Sequence, residues 1–214
     1  MDEEITIIDS NTRNEKIKKF LIKNKKLLIS IAVTFIFFII CFYSFQEYKK
    51  GQKQKIANKY NSAVIEYENG NQSRITFLMK EIIEDKDKTY SPLALYFLID
   101  NNLEVSNQNM NILFNILLEE TNIDTEIKNL LIYKKALFNS DFASENDLLK
   151  ILGPIINSEN IWKSHALYLM AEYFYYKNEK KKSKEFFDQI LMLPNSNSDI
   201  KLKSQKRINR DFSE

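Results

Sequence analysis

Side chains that could carry acid–base or metal chemistry are few in this 214-residue sequence. The single histidine, His165, lies among aromatic residues. As a general base it would need a partner acid and a cleft, and as a metal ligand it would need further donors close by. We therefore expect a packed or partly exposed histidine. Other charged runs are expected to be solvated loops, helix ends or turns: Glu119-Glu120, Asp85-x-Asp87 and Lys180-Lys181-Lys182.

Glycine and cysteine usage restricts the chemistry further. The chain has three glycines, too few to build a phosphate-binding loop. Its one cysteine, Cys41, lies in an apolar run, so residues 46–214 contain no thiol for a disulfide or a metal. We expect no enzymatic activity, no cofactor, no metal and no small-molecule substrate.

The charge balance also excludes a class of partner. The chain carries a net charge of +2. Residues 1–26 hold seven basic and five acidic residues, which accounts for all of it, and residues 46–214 hold 24 of each sign. A nucleic-acid-binding domain should show a basic excess on its folded part, so we expect no nucleic-acid partner.

Residues 27–45 form an apolar run of 19 residues without a charge, a proline or a glycine. As a helix they would span roughly 28 Å, close to the thickness of a bilayer core. The run is longer than a signal-peptide core of about 7–15 residues and ends in bulky residues, which disfavours cleavage. A lipoprotein site at Cys41 is disfavoured because the large Ile40 precedes it. We predict a cytoplasmic tail (1–26), a transmembrane helix (27–45) and a second domain (46–214).

The flanks and faces of this run suggest an orientation and possible contacts. Residues 11–26 carry seven Lys or Arg against five in residues 46–61, which favours a cytoplasmic amino terminus. Small and hydroxylic residues share one stripe, which either contacts another membrane helix or bonds back to its own backbone: Ser30, Thr34, Cys41 and Ser44. Residues 13–26 show helical spacing of apolar residues among lysines. They either lie along anionic headgroups or simply flank the span.

The remaining sequence predicts an all-α fold of nine helices with short polar joints. Apolar residues recur at helical spacing throughout, and no segment keeps a period of two. Ser91-Pro92 is predicted to cap and open the third helix, and Gly153-Pro154 to interrupt the sixth. The predicted helices are 48–69, 73–85, 91–98, those starting at 106, 124 and 144, and 164–177, 179–193 and 198–210. Pairs of about 34 residues suggest an α-solenoid of antiparallel tetratricopeptide (TPR)-like pairs.

The last complete pair fits the TPR pattern best. Small residues are expected where its helices cross and aromatic residues beside them. The pattern positions are taken by Leu167, Met170, Ala171, Phe174, Ser183 and Phe187, with Pro194 one position early and the first aromatic residue and the glycine of the pattern substituted. In such a pair the first helix lines the concave side. The residues predicted to form a groove for extended or helical partner segments are His165, Tyr168, Glu172, Tyr175 and Tyr176. The alternative is that the last helix folds over them.

The layout resembles the YfgM type of ancillary subunit of the SecYEG translocon. The resemblance is carried by the span with its Phe45-Gln46-Glu47-Tyr48 exit, by Ala57-x-x-Tyr60-x-x-Ala63, by Ile161-Trp162-Lys163 leading into Ala166 and Met170-Ala171-Glu172, and by the pair 164–194. It implies a bacterial inner-membrane protein with a cytoplasmic amino terminus and a periplasmic TPR-like domain. It also implies association with the translocon, periplasmic chaperones and unfolded secreted or envelope clients. A membrane-anchored scaffold for envelope assembly or cell division, and an anchored enzyme, are the alternatives.

Overall fold

The computed structural model describes residues 15–67, 70–104 and 106–212, and over these residues the chain is all-helical. Helix accounts for 81% of the chain and the described residues contain no strand, which confirms the predicted all-α class. The helices are α1 (15–23), α2 (Lys25–Tyr67), α3 (Gln72–Glu84), α4 (Tyr90–Asp100), α5 (Asn107–Asn115), α6 (Thr125–Asn139), α7 (Glu145–Ile156), α8 (Lys163–Tyr176), α9 (Lys180–Met192) and α10 (Ser198–Asp211). The chain divides into two compact units, Met1–Lys55 and Ile56–Glu214.

The first unit contains the apolar run, which lies within helix α2. Every large apolar side chain of the run except Leu28 is exposed, for example 60% at Leu27 and 57% at Phe45. A core helix of a soluble protein would bury such residues. Helix α2 is therefore long and apolar enough to cross a membrane.

The second unit holds three apolar clusters that follow one another along the chain. Cluster 1 joins the end of α2 to α3, α4, α5 and α6. Cluster 2 joins α6, α7 and α8, and cluster 3 joins α8, α9 and α10. Each helix thus packs mainly on its neighbours in sequence, so the core is a row of local clusters.

The α8–α9 pair shows the small-residue crossing that the sequence predicts. Ala171 and Ser183 are both fully buried, and the Ser183 hydroxyl donates to the Ala171 carbonyl at 2.8 Å. Beside them Phe174 and Phe187 are buried, and Phe174 stacks on Phe186 with ring centroids 5.5 Å apart. The small side chains let the two backbones approach, and the aromatic rings fill the space on either side.

Helix α4 begins differently from the prediction. It starts at Tyr90, because Asp87 Oδ1 accepts hydrogen bonds from the backbone N–H groups of Thr89 and Tyr90 at 2.9 and 2.8 Å. The prediction that Ser91 caps this helix is wrong. Ser91 is buried in the first turn and donates its hydroxyl to the Ile82 carbonyl at 2.6 Å, which joins α4 to α3.

Helix α7 begins at Glu145, next to the predicted start at residue 144, but a second prediction for it is wrong. Its start is a capping box, in which Ser144 and Asp147 each accept from the other's backbone N–H. The predicted interruption at Gly153-Pro154 does not occur, since α7 continues to Ile156. Pro154 has no N–H to donate, so it removes one hydrogen bond from the last turn of α7. The turn still closes, because Asn157 N–H donates to the Gly153 carbonyl at 3.0 Å.

A matched pair of leucines tests whether the clusters hold the second unit together. Leu152→Ala should lower the free energy of unfolding by about 2–5 kcal/mol, because Leu152 is fully buried in cluster 2. Leu202→Ala should change it by less than about 0.5 kcal/mol, because Leu202 is 55% exposed on α10. Urea unfolding of the full chain in detergent, followed by Trp162 fluorescence, measures both. Equal effects would contradict the cluster assignment.

Candidate functional site

The five residues predicted to form a groove lie on one face of α8, which we call the tyrosine stripe: His165, Tyr168, Glu172, Tyr175 and Tyr176. The opposite face of α8 is the buried one, with Ala166, Met170 and Ala171 fully buried in clusters 2 and 3. None of the five stripe residues falls in the buried class, and Tyr176 is 84% exposed. The stripe is therefore an accessible or half-accessible surface of the second unit.

The first residue of the stripe packs against an aromatic pair. The His165 ring lies 5.2 Å from Trp162 and 5.9 Å from Tyr133 on α6, and these two rings stack on each other. Burial lowers the pKa of His165, the backbone carbonyl of Ile161 acts against this, and the charge of Lys203 lowers the pKa further. The expectation of a packed, partly exposed histidine is confirmed. In the described part of the chain, no group of three or more His, Cys, Asp or Glu residues is placed to hold a metal ion.

The middle of the stripe meets the last helix. Glu172 binds Arg207 of α10 through two hydrogen bonds, from Nε at 2.8 Å and from Nη2 at 2.6 Å. The Tyr168 ring packs edge-on to Phe187 of α9 at 5.6 Å. Burial raises the pKa of Tyr168 to about 12, and the neighbouring Glu172 carboxylate adds to this. The Tyr168 phenol is therefore protonated at physiological pH.

At the end of the stripe, Tyr175 is covered by other side chains and Tyr176 is exposed. The Arg207 guanidinium lies 4.2 Å from the centre of the Tyr175 ring, a cation–π contact. Phe212, just past α10, lies 5.9 Å from the same ring. Tyr176 points away from these contacts and is the most exposed residue of the stripe.

These contacts decide between the two alternatives for the stripe only in part. Helix α10 lies along its middle, so the alternative in which the last helix covers the patch holds for Glu172 and Tyr175. Both nevertheless stay half-buried, His165 packs against Trp162 and Tyr133, and Tyr176 is 84% exposed. The surface left accessible is thus a shallow strip with aromatic rings at both ends and an ion pair at its centre.

The ion pair belongs to a small network that sequence reasoning missed. Arg207 is 15% exposed and also pairs with Asp211, which is 10% exposed and bonded in turn by Arg210. Burial alone would lower the pKa of Arg207, but the hydrogen bond and charge of Glu172 outweigh it and raise the pKa. Glu172 and Arg207 lie 35 residues apart, so no local pattern in the sequence links them.

A second polar site missed by the sequence lies between α5, α6 and α7. Asn111 and Asn139 exchange two amide hydrogen bonds of 2.9 Å each, and Lys135 Nζ donates to Asn115 Oδ1 at 2.6 Å. Burial lowers the pKa of Lys135, and the charge of Glu119 opposes this. Because these groups largely satisfy one another, we interpret the site as a polar tie between α5 and α6.

The four small residues predicted to form a stripe on α2 are exposed: Ser30, Thr34, Cys41 and Ser44. Thr34 Oγ1 donates to the Ser30 carbonyl at 2.9 Å, so the back-bonding alternative holds for this hydroxyl. This bond does not prevent a close approach, because the Thr34 side chain stays small. That the stripe is a contact face for a second membrane helix stays a prediction.

The chain was compared with protein-family profiles, with curated proteins and with solved structures, and none of the three comparisons finds a match.

Removal of Arg207 should loosen α10 selectively. Arg207→Ala leaves Glu172 and Asp211 without their shared cation, and we expect a loss of about 1–2 kcal/mol, below the figure for a fully buried pair because Glu172 is 35% exposed. Hydrogen exchange of the full chain should show faster exchange in α10 and unchanged exchange in α3 and α4. Lys206→Ala, one residue away and exposed, is the matched control and should change neither.

The same contact should weaken in acid. The hydrogen bond from Arg210 lowers the pKa of Asp211, burial opposes this, and the charge of Arg207 lowers the pKa further. Since the folded pKa lies below the unfolded value of about 3.9, Asp211 stabilises the fold above that pH and ceases to do so as the pH falls through the folded pKa. The difference in Tm between the native chain and Asp211→Asn should therefore be constant near neutrality, decline as the pH falls below about 3.9, and vanish only once the pH lies below the folded pKa. A difference that grows in acid would contradict this.

Proposed function

We propose that this protein is a membrane-anchored helical adaptor that binds other proteins and has no chemistry of its own. The observation that carries the proposal is the exposed apolar run of residues 27–45, beside a second unit that buries its apolar residues in three clusters. Such a run is stable only in an apolar environment, and a lipid bilayer matches its length.

The adaptor part is proposed to be a TPR-like solenoid. Three features support this: the row of clusters formed by neighbouring helices, the Ala171–Ser183 crossing of α8 and α9, and the packing of α10 on both of these helices through cluster 3. In a solenoid of helix pairs, the first helices of successive pairs line a common surface. The tyrosine stripe lies on such a first helix.

The chemistry of the stripe suits peptide segments better than small molecules. Tyr176, His165 and the half-buried Tyr168 and Tyr175 present rigid aromatic area together with polar tips. The Glu172–Arg207 pair adds a donor and an acceptor at the centre. Aromatic rings with adaptable polar groups bind varied segments at low cost in side-chain entropy.

The partners we propose are those implied by the resemblance of the layout. The protein would sit in the bacterial inner membrane with its amino terminus in the cytoplasm and its second unit in the periplasm. It would contact the SecYEG translocon through the span, and periplasmic chaperones or unfolded clients through the stripe. The excess of lysine on the amino-terminal flank supports this orientation.

In-cell photo-crosslinking tests the proposal at defined positions. A photoreactive residue at Thr34 should capture translocon subunits, and one at Tyr176 should capture chaperones or secreted clients. Gln189, exposed on α9 and outside the stripe, is the control and should capture fewer products. Products from division or envelope-assembly proteins in place of the translocon would favour the anchored scaffold.

The same strains establish the orientation that the test assumes. A reporter enzyme that is active only in the periplasm should be active when it is fused after Glu214. A reporter active only in the cytoplasm would overturn the proposed localisation and, with it, the role in receiving exported proteins.

A further inference from the structure

Helix α1 is a short basic helix whose large apolar side chains are exposed. It carries four apolar residues, and all are exposed: Ile17 48%, Phe20 58%, Leu21 49% and Ile22 68%. Lysines surround them: Lys16, Lys18, Lys19 and Lys23 in α1, and Lys25 and Lys26 at the start of α2. Four large apolar groups exposed on nine residues need an apolar surface to cover them.

Three of the four apolar residues of α1 lie on one face of the helix. With about 100° per residue, Ile17, Phe20 and Leu21 share one side at spacings of three and four. Lys16 and Lys23 flank that side on one edge, and Lys18 flanks it on the other. Ile22 lies on the opposite side, about 140° from Ile17. The helix thus has one narrow apolar face with two lysines on one edge and one lysine on the other.

Helix α1 does not run on as part of α2. Asn24 forms a turn between them, and its side-chain amide donates to the Phe20 carbonyl at 3.1 Å alongside its own backbone N–H at 3.0 Å. The backbone resumes the helical pattern when Leu28 N–H donates to the Asn24 carbonyl at 2.9 Å. The break lies directly before the apolar run, where a proposed span would leave the hydrocarbon.

We propose that α1 is a lipid-binding helix that lies in the headgroup region of a leaflet rich in anionic phospholipid. The narrow apolar face would reach the upper acyl chains while the flanking lysines contact phosphate groups, as basic interfacial helices do. Charge decides the occupant. The flanking lysines would repel the same face of a second copy, whereas they complement an anionic surface that the adjoining span would hold within reach.

The inference rests on the proposed span, so its test reports on the two separately. The full chain offers a clean background, because Cys41 is its one cysteine. In a Cys41→Ser chain, Ile17→Cys and Ile22→Cys are the same substitution on opposite sides of α1. Each is labelled with bimane and reconstituted in vesicles of phosphatidylcholine with phosphatidylglycerol, with spin-labelled lipid as quencher.

We expect the label at residue 17 to be quenched about twofold or more over the label at residue 22 when anionic lipid is present. The difference should shrink in pure phosphatidylcholine and at high salt, because the lysine–phosphate attraction is screened. Replacing Lys16, Lys18, Lys19 and Lys23 by Gln should reduce it. Replacing the four lysines beyond the run, Lys49, Lys50, Lys53 and Lys55, is the matched control and should leave it unchanged.

Equal quenching at residues 17 and 22, or a difference that is independent of anionic lipid, would overturn the proposal. So would label self-quenching that rises with protein density, because α1 would then pair with a second copy. A bimane placed on the native Cys41 reports on the span itself. If a spin label deep in the acyl chains fails to quench it, the proposed span fails, whereas deep quenching at Cys41 with equal quenching at 17 and 22 overturns the α1 proposal alone.

Discussion

The removal of apolar side chains from water is the constraint on which this structure depends. In the second unit the constraint is met internally, by three clusters in which residues such as Leu95, Leu152 and Phe187 are fully buried. In the first unit it is not, because residues 27–45 present an apolar helix with exposed side chains. Burial contributes on the order of 25 cal/mol per Å² of apolar surface, so an exposed run of this length carries a large driving force toward lipid.

Packing between helices that are neighbours in sequence explains why the fold needs few buried polar contacts. Neighbouring helices pack on one another, so each contact closes a short loop and costs little chain entropy. At the α8–α9 crossing one hydroxyl, that of Ser183, is buried and bonded to the Ala171 carbonyl, so a polar group enters the core without an unsatisfied partner. The Asn111–Asn139 pair does the same between α5 and α6.

Helix α10 is held by different forces from the helices before it. Ile200 and Ser204 are its buried residues, and the Arg207 network supplies much of the remaining contact with α8. Partly exposed ion pairs contribute less than buried apolar surface and are sensitive to pH. The helix that borders the proposed binding surface is thus held in part by contacts that depend on pH.

The sequence alone determined the all-α class, the apolar run and nearly every helix, because helical periodicity and end signals are local. It also placed Ala171, Ser183, Phe174 and Phe187 correctly, since the spacing of a helix pair fixes which residues meet. Two predictions of where a helix starts or is interrupted were wrong. Asp87, not Ser91, accepts the backbone N–H groups at the start of α4, and α7 continues past Pro154 to Ile156. Only the tertiary structure decided what covers the tyrosine stripe. The contact of Arg207 with Glu172 and Tyr175 joins residues more than thirty positions apart, and its existence depends on how α10 packs, which no local pattern encodes.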